Sequence, residues 1–392
     1  MLLLLVLSLV FFGTVSAIYL SYFLLVLRTS KKSRYIELLD SIVRSSSEEV
    51  DLPKVTILIP AYNEEETIFD KMRNISEFSY PLEKIEVLVL DDCSTDNTRK
   101  IAQDAFRTFS LKGKIIPNEK RCGVNALYNI GFEKANSELI LTTDADALLL
   151  PDTLSKSVKI MLHLQDVGGV AAKMTPTHTK TTVSTRTADA YTDAYYSMLE
   201  AESAIFSTFP GGSSCMLVRK SAFSNISPDY GSSDGNISLT IIKRGFKFIL
   251  APCVPFLEPI SQRFGEMRRQ KVRRATRLIQ ATLLNRDILF STKYCEFGTT
   301  IFPLRLLMMT IAPPLTLLSI LLFFAFACTL SIPVTCLLIA AAISVFLLGT
   351  QINVKIPRLI VSFLIHQTYL LVGFSLSFKR MNVWRHIERV QS

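Results

Sequence analysis

Charge is what this 392-residue sequence most lacks. Asp, Glu, Lys and Arg make up 20% of it, against about 25% in soluble globular chains. The shortage is concentrated: residues 1–27, 306–354 and 359–378 contain none of the four. A bilayer crossing needs about 20 apolar residues, so these stretches exclude a purely soluble protein. Glycine (15) and proline (16) are too few for a collagen-like or low-complexity chain, and there is no internal repeat. The seven cysteines form no Cys-x-x-Cys pair and are odd in number. That argues against a disulfide framework and for free thiols in a reducing compartment. No Gly-x-Gly-x-x-Gly or Walker A sequence occurs, so any phosphate has to be met by a metal and cationic side chains. The four histidines have no metal-ligand spacing. His366 lies in an uncharged stretch, where a neutral ring bonded to a neighbouring helix is expected.

What the sequence does have is a net charge of +9. Arg28, Lys31, Lys32 and Arg34 follow the first apolar stretch and none precedes it. By the positive-inside rule this predicts an uncleaved anchor at 1–27 and a basic juxtamembrane linker at 28–52, with the next domain cytoplasmic. The sequons at Asn74, Asn225 and Asn236 would then be silent. The stretch 306–378 suits two to three crossings, with a turn near Ser331-Ile332-Pro333 and an interfacial connector at 281–305. Three crossings there would carry the tail 379–392 outside, yet Lys379, Arg380, Arg385 and Arg389 mark it as cytoplasmic.

Residues 53–280 read as an α/β domain. Val55–Pro60 and Ile85–Leu90 are short buried strands, 114–116 is a weak third and 138–142 a fourth. Helices are expected over 63–78, from about 97, and over 123–135. Strands alternating with helices imply a parallel sheet, whose ligands sit off the carboxyl ends of its strands. The acidic clusters Asp91/Asp92 and Asp144/Asp146 fall at those ends. A lone Asp there is usually a helix cap. Two so close together repel unless a cation lies between them, and hard oxygen ligands suit Mg²⁺ or Mn²⁺ bridging to substrate phosphates.

Pro60-Ala-Tyr-Asn-Glu64, Asp91-Asp-Cys-Ser-Thr-Asp96 and Thr143-Asp-Ala-Asp146, in this order, resemble the motifs of family 2 glycosyltransferases of the GT-A fold. Ser233-Asp234 ahead of Lys243-Arg244-Gly245-Phe246 resembles that family's Glu-Asp element, and Gln270-Lys-Val-Arg273-Arg274 its Gln-x-x-Arg-Trp element. The apolar flanks resemble the membrane-embedded branch that includes hyaluronan, chitin and cellulose synthases. The resemblance implies a Rossmann-like nucleotide-diphospho-sugar transferase domain plus transmembrane helices. It implies that Ala61, Tyr62, Glu64 and Asp92 hold the nucleotide and that Asp144 and Asp146 hold metal and diphosphate. Asp234 would be the general base of an inverting transfer, and Gln270 and Arg273 would close over acceptor and diphosphate. Three positions depart from the pattern. Ser233 replaces Glu, Arg274 replaces the Trp that gives a sugar acceptor its aromatic face, and Cys122-Gly123 replaces a Gly-Lys, with Lys120 or Arg121 as substitutes for the charge.

Rival readings stand beside these. In a Gly/Ser-rich loop Asp234 also reads as a turn residue. Gly211-Gly212 reads equally as a plain turn or as a close approach to the acceptor. The run 263–277 carries seven cations, which suits nucleic acid, but Phe264 is its only aromatic. Phosphate handling beside anionic lipid is the better fit, with no nucleic-acid partner expected. The expected partners are a UDP- or GDP-sugar, a lipid-linked or polysaccharide acceptor hydroxyl, and membrane lipids. A polyprenyl phosphate acceptor, which needs no base, and an inactive membrane scaffold of the same fold are the alternatives.

Overall fold

The structure, a computed structural model, describes residues 2–27, 30–45, 52–177, 183–211, 213–259, 264–350 and 355–379. Helix α1 (Leu2–Leu27) is apolar on every side, and α2 (Ser30–Arg44) follows it. The basic stretch is therefore largely helical. It is also bound to the domain, because the Tyr35 hydroxyl donates to the Leu250 carbonyl and Lys32 pairs with Glu200.

The domain then runs β1 (Val55–Ala61), α3 (Ile68–Ser76), β2 (Ile85–Asp91), α4 (Thr98–Thr108), β3 (Gly113–Pro117), α5 (Val124–Lys134) and β4 (Leu139–Thr143). The two-residue strand β5 (Leu148–Leu149), α6 (Thr153–His163), β6 (Val167–Thr177), α7 (Val183–Ile205), β7 (Cys215–Arg219), α8 (Ser233–Lys243) and β8 (Lys247–Pro259) complete one sheet. Its order is β3-β2-β1-β4-β7-β6-β8-β5.

Strands β1 to β4 pair in parallel as expected, and so do β6 and β8. Strand β7 runs antiparallel to β4 and β6, and β5 antiparallel to β8. These antiparallel pairings of β7 and β5 make the sheet mixed, although strand and helix go on alternating from β5 to β8. Ile57, Leu58, Ile59, Val87, Leu88 and Val89 are fully buried, as continuous apolar strands covered on both faces must be. Helix α3 is shorter than the expected 63–78. Asn63 adopts a left-handed φ of 53°, which no helix interior tolerates.

Helix α9 (Phe264–Leu284) crosses the expected domain boundary at 280. Beyond a π turn at Phe297–Ile301 come α10 (Phe302–Thr310), α11 (Ala312–Leu330), α12 (Ile332–Thr350) and α13 (Lys355–Ser377). Among the described residues four helices, α1, α11, α12 and α13, are long and apolar enough to cross a membrane.

They are not packed alike. Helices α1 and α11 lie antiparallel: Ser8 and Ser319 exchange side-chain to backbone hydrogen bonds of 2.9 and 3.0 Å, while Val15 and Ile18 meet Ala312. Helix α13 instead lies against α9. A Cβ on Gly373 would come 2.9 Å from that of Ala275, and Gln280 and Tyr230 both donate to the Ser377 carbonyl.

Candidate active site

Three strand tips build the first half of the site. Asp92 follows β2, and its N–H donates to the Ala61 carbonyl at the end of β1 at 2.8 Å. The loops beyond interlock: Asn63 accepts from the Thr95 N–H and its own N–H donates to the Ser94 hydroxyl. Cys93 joins Asn63 in the left-handed region, with φ 65°, a conformation uncommon outside glycine. The result is a small cleft lined by Ala61, Tyr62, Glu64, Asp92, Asp144 and Asp146. All six residues expected for nucleotide and metal therefore meet at one place.

Their roles differ in detail from simple exposure. The Asp92 carboxylate accepts from the Cys122 and Gly123 N–H groups at 2.7 and 3.1 Å. It thereby fixes the start of α5 where the glycine-lysine pattern is absent. Arg121 pairs with Asp92 at 3.7 Å and stacks over Tyr62, 3.5 Å from the ring centroid. Of the two substitute cations, Arg121 is the one seen at the cleft. Asp91 is fully buried and accepts from Arg99 at 2.6 Å, so it is a brace for the loop.

Asp144 and Asp146 follow β4. Removal from water and the adjoining Asp146 carboxylate push Asp144 well above the ordinary carboxylate range. Beneath them lies Lys71, fully buried on α3, donating to the Thr143 hydroxyl at 2.8 Å and the Ala147 carbonyl at 2.6 Å. Burial lowers Lys71 to about 8, against the pull of the two aspartates. Among the described residues no three His, Cys, Asp or Glu side chains gather as a cage. Two hard carboxylates whose charges repel still fit a divalent ion that takes its other ligands from phosphates.

The second half of the site comes from further along the chain. Asp234 sits in the first turn of α8 and is buried. Its carboxylate accepts from the Ser213 N–H and its own Gly235 N–H, both at 2.8 Å. Asp144 donates its N–H to the Ser214 carbonyl at 3.3 Å. Consecutive residues of one loop thus tie Asp234 to Asp144. Tyr128 on α5 feels the charge of both carboxylates.

Burial and its neighbours Arg274 and Arg277 lower Arg273 to about 10, against the pull of Asp144 and Asp146. Arg274 does not present an open face. It bonds Glu258 at 2.6 Å, and Glu258 in turn accepts from the Ser214 hydroxyl at 2.9 Å. Gly211 backs onto α9, where a Cβ would come 2.7 Å from Leu278. Gln270 and Gly211 line a second, larger cavity beside the loop. Gly212, Arg28, Arg263 and the tail from Arg380 lie outside the described residues.

Three contributors escaped the sequence reading: Lys71, Tyr128 and Glu258. Lys71 leaves a trace, a lone cation on the stripe Ile68, Met72, Ile75 that α3 buries. The others carry no local signal.

Against this geometry, the profile of glycosyl transferase family 2 matches residues 56–227. The chain carries a family 2 glycosyltransferase domain. It is 33% identical over 99 residues to the probable glycosyltransferase YdaM of Bacillus subtilis, covering 24% of this chain and 23% of that protein. It is 30% identical over 128 residues to a dolichyl N-acetyl-alpha-D-glucosaminyl phosphate glucuronosyltransferase of Methanococcus voltae, covering 31% and 40%. The matches to these curated relatives therefore span less than half of their length. The mannosyltransferase PcManGT of Pyrobaculum calidifontis, solved with GDP-Man and Mn²⁺, superposes with TM-score 0.74 at 23% identity, over 96% of this chain and 99% of that one. The fold common to the two extends from the family 2 domain into the apolar helices.

Proposed function

We propose that this family 2 domain moves a sugar, with inversion, from a nucleoside-diphosphate sugar to a hydroxyl of a lipid-linked or polysaccharide acceptor at the cytoplasmic membrane face. The observation that carries this is the 213–214 loop. It ties Asp234, a base candidate, to Asp144 at the nucleotide cleft, so attack and departure are served side by side. Tyr62, with Arg121 over its ring, takes the nucleotide.

Asp144 and Asp146 hold Mg²⁺ or Mn²⁺, which when bound neutralises charge on the leaving diphosphate. Arg273 adds a second positive charge within electrostatic reach of the same carboxylates. Asp234, which accepts hydrogen bonds from two backbone N–H groups, takes the proton of the attacking hydroxyl. The Methanococcus voltae relative is named for a dolichyl-linked sugar phosphate, in keeping with a lipid-linked acceptor.

The test is nucleoside diphosphate release by the detergent-purified chain with Mn²⁺ and a panel of UDP- and GDP-sugars, with and without membrane lipid extract. No release from any donor overturns the reading. Release lost in Asp144→Asn but kept in Asp234→Asn moves the acceptor from a hydroxyl to a phosphate.

The membrane arrangement is part of the same reading. Helix α13 runs beside α9, whose Arg268, Arg269, Lys271, Arg273, Arg274 and Arg277 keep it out of hydrocarbon. We read α13 as lying in the membrane plane. Crossings by α1, α11 and α12 then leave the basic tail on the domain's side, which removes the conflict over its sidedness. The sequons fit that side. The amides of Asn74 and Asn236 are engaged with Leu149 and Tyr230. Labelling of a cysteine introduced at Ser392 from the periplasmic or external side, in a cysteine-free background, would overturn this topology.

A further inference from the structure

Between the domain and the apolar helices lies a cavity of about 390 Å³ that the nucleotide cleft does not use. It is walled by α7, α9, α10 and α13, with Tyr19 of α1 at one side, and it reaches Gly211 and Glu258 beside the 213–214 loop. Five of the ten methionines line it: Met174, Met198, Met267, Met308 and Met309. Methionine is the side chain that adapts to an irregular or flexible apolar occupant.

Some polar groups in this wall bond each other, Gln367 donating to the Tyr19 hydroxyl and Arg274 to Glu258, both at 2.6 Å, but others are left over. The Tyr369 hydroxyl and the Gln367 carbonyl oxygen are buried without a hydrogen-bond partner among the described residues. Tyr369 is 6% exposed and Gln367 5%. Both belong to residues lining the cavity. Buried polar atoms without partners are rare and call for an explanation.

Lys271 lines the same wall, one turn before Arg274. Burial, and Arg274 beside it, draw its ammonium down to about 7 despite Glu258. An anion placed there would be stabilised by the cation and would stabilise it in turn. Tyr369 feels the charge of Arg268 as well. The lipid-facing rim is apolar: Leu359 and Phe363 of α13 are 52% and 36% exposed.

We propose that this cavity binds a lipid phosphate. Its hydrocarbon chain enters past Leu359 and Phe363 among the methionines, and its phosphate meets Lys271 and the Tyr369 hydroxyl. The inference rests on the glycosyltransferase reading for its purpose, which is to present a lipid-linked acceptor to Asp234. It narrows that reading from polysaccharide to lipid-linked substrates. It also gives α13 a role, as the in-plane roof of the lipid site.

The test is native mass spectrometry of the full chain in detergent with farnesyl phosphate, farnesol and phosphatidylglycerol as separate probes. Farnesyl phosphate should bind in preference to the other two. Lys271→Gln should weaken it about tenfold, the size of one lost charge-assisted contact, and leave farnesol unchanged. Leu359→Trp, on an exposed position that folding does not depend on, should weaken both isoprenoids by blocking the entrance. Phosphatidylglycerol binding as well as farnesyl phosphate would make the cavity a general lipid crevice and overturn the proposal. Farnesyl phosphate binding untouched by both variants would overturn it too. The two readings fail separately. Absence of nucleoside diphosphate release with intact farnesyl phosphate binding sinks the enzyme and leaves the site. Release without lipid binding does the reverse.

Discussion

The side of the sheet proposed to take the nucleotide, β1 to β4, and the side proposed to take the acceptor, β6 to β8 with α9, hold their charges in different ways. On the nucleotide side, carboxylates are held by backbone and side chains of nearby loops. Asp91 takes Ser94 and Arg99, three and eight residues on, and Asp92 takes Cys122 and Gly123. On the acceptor side some partners are far more remote. Arg305 reaches Glu202 across 103 residues and Tyr22 reaches it across 180. Glu202 and Arg305 are almost wholly buried, and Arg305 also donates to the Phe209 carbonyl at 3.1 Å. One carboxylate thereby joins α1, α7 and α10. The nucleotide cleft is a property of the domain. The other side is tied through Glu202 to the apolar helix α1 and to α10.

The largest break in this comparison is expected from Arg305→Leu. It strands the Glu202 charge in the interior, and removing one partner of a buried ion pair costs about 3–5 kcal/mol. Thermal unfolding in detergent should fall steeply, and limited proteolysis should open the junction between domain and membrane helices. The double variant Glu202→Leu/Arg305→Leu should recover much of the loss. If both variants unfold like the parent, the two regions are independent. On the nucleotide side the matching break leaves the fold intact. Asp144→Asn should lower turnover by about a thousandfold, with an unchanged unfolding midpoint. A variant that keeps a tenth of the activity would remove Asp144 from the diphosphate site.

The same contrast explains what could be read from the sequence. Pro60–Glu64, Asp91–Asp96 and Thr143–Asp146 were legible because a buried parallel strand is a continuous apolar run and its end is marked by Pro or Asp in the next few residues. Their convergence follows from parallel pairing, Ala61 beside Asp91 in the register. From 150 to 214 the sequence offered no such marks. Strand β7 pairs with β4 antiparallel, Leu139 opposite Arg219, and nothing local to either residue announces a partner so distant. Asp234 was found through its spacing to Gly245, but its tie to Ser213 was not. Glu258, which holds Arg274 where the family pattern has an aromatic residue, is silent in sequence because its partners lie on α9 and the 213–214 loop. Helix α13 shows another limit: composition measures length and apolarity, whereas its packing against α9 depends on Gly373 and Gln280.

Asp234→Asn sharpens the comparison from the acceptor side. Loss of a general base lowers turnover by about a hundredfold or more. The amide retains one oxygen to accept from Ser213 or Gly235, so the 213–214 loop should hold its place. Donor affinity, read by nucleotide titration, should therefore stay within about twofold of the parent. A parallel loss of donor affinity would mean that Asp234 acts through the loop on Asp144, and the base would have to be sought elsewhere.

The smallest effect is expected at Arg121, where the two kinds of support meet. Its guanidinium stacks on Tyr62 and pairs with Asp92 at 3.7 Å. Asp92, however, keeps its two backbone donors without it. Arg121→Ala should leave the cleft in place and remove the stacking cation alone, worth about 0.5–2 kcal/mol, a weakening of nucleotide affinity of about threefold to thirtyfold. Arg121→Lys should restore only part of it, because an ammonium lacks the flat face that lies on the ring. Calorimetric titration of the three proteins with UDP and GDP checks the order. If Arg121→Ala instead tightened binding, the arginine would be occupying the place of the base, and Tyr62 would be free to stack only after it moves aside.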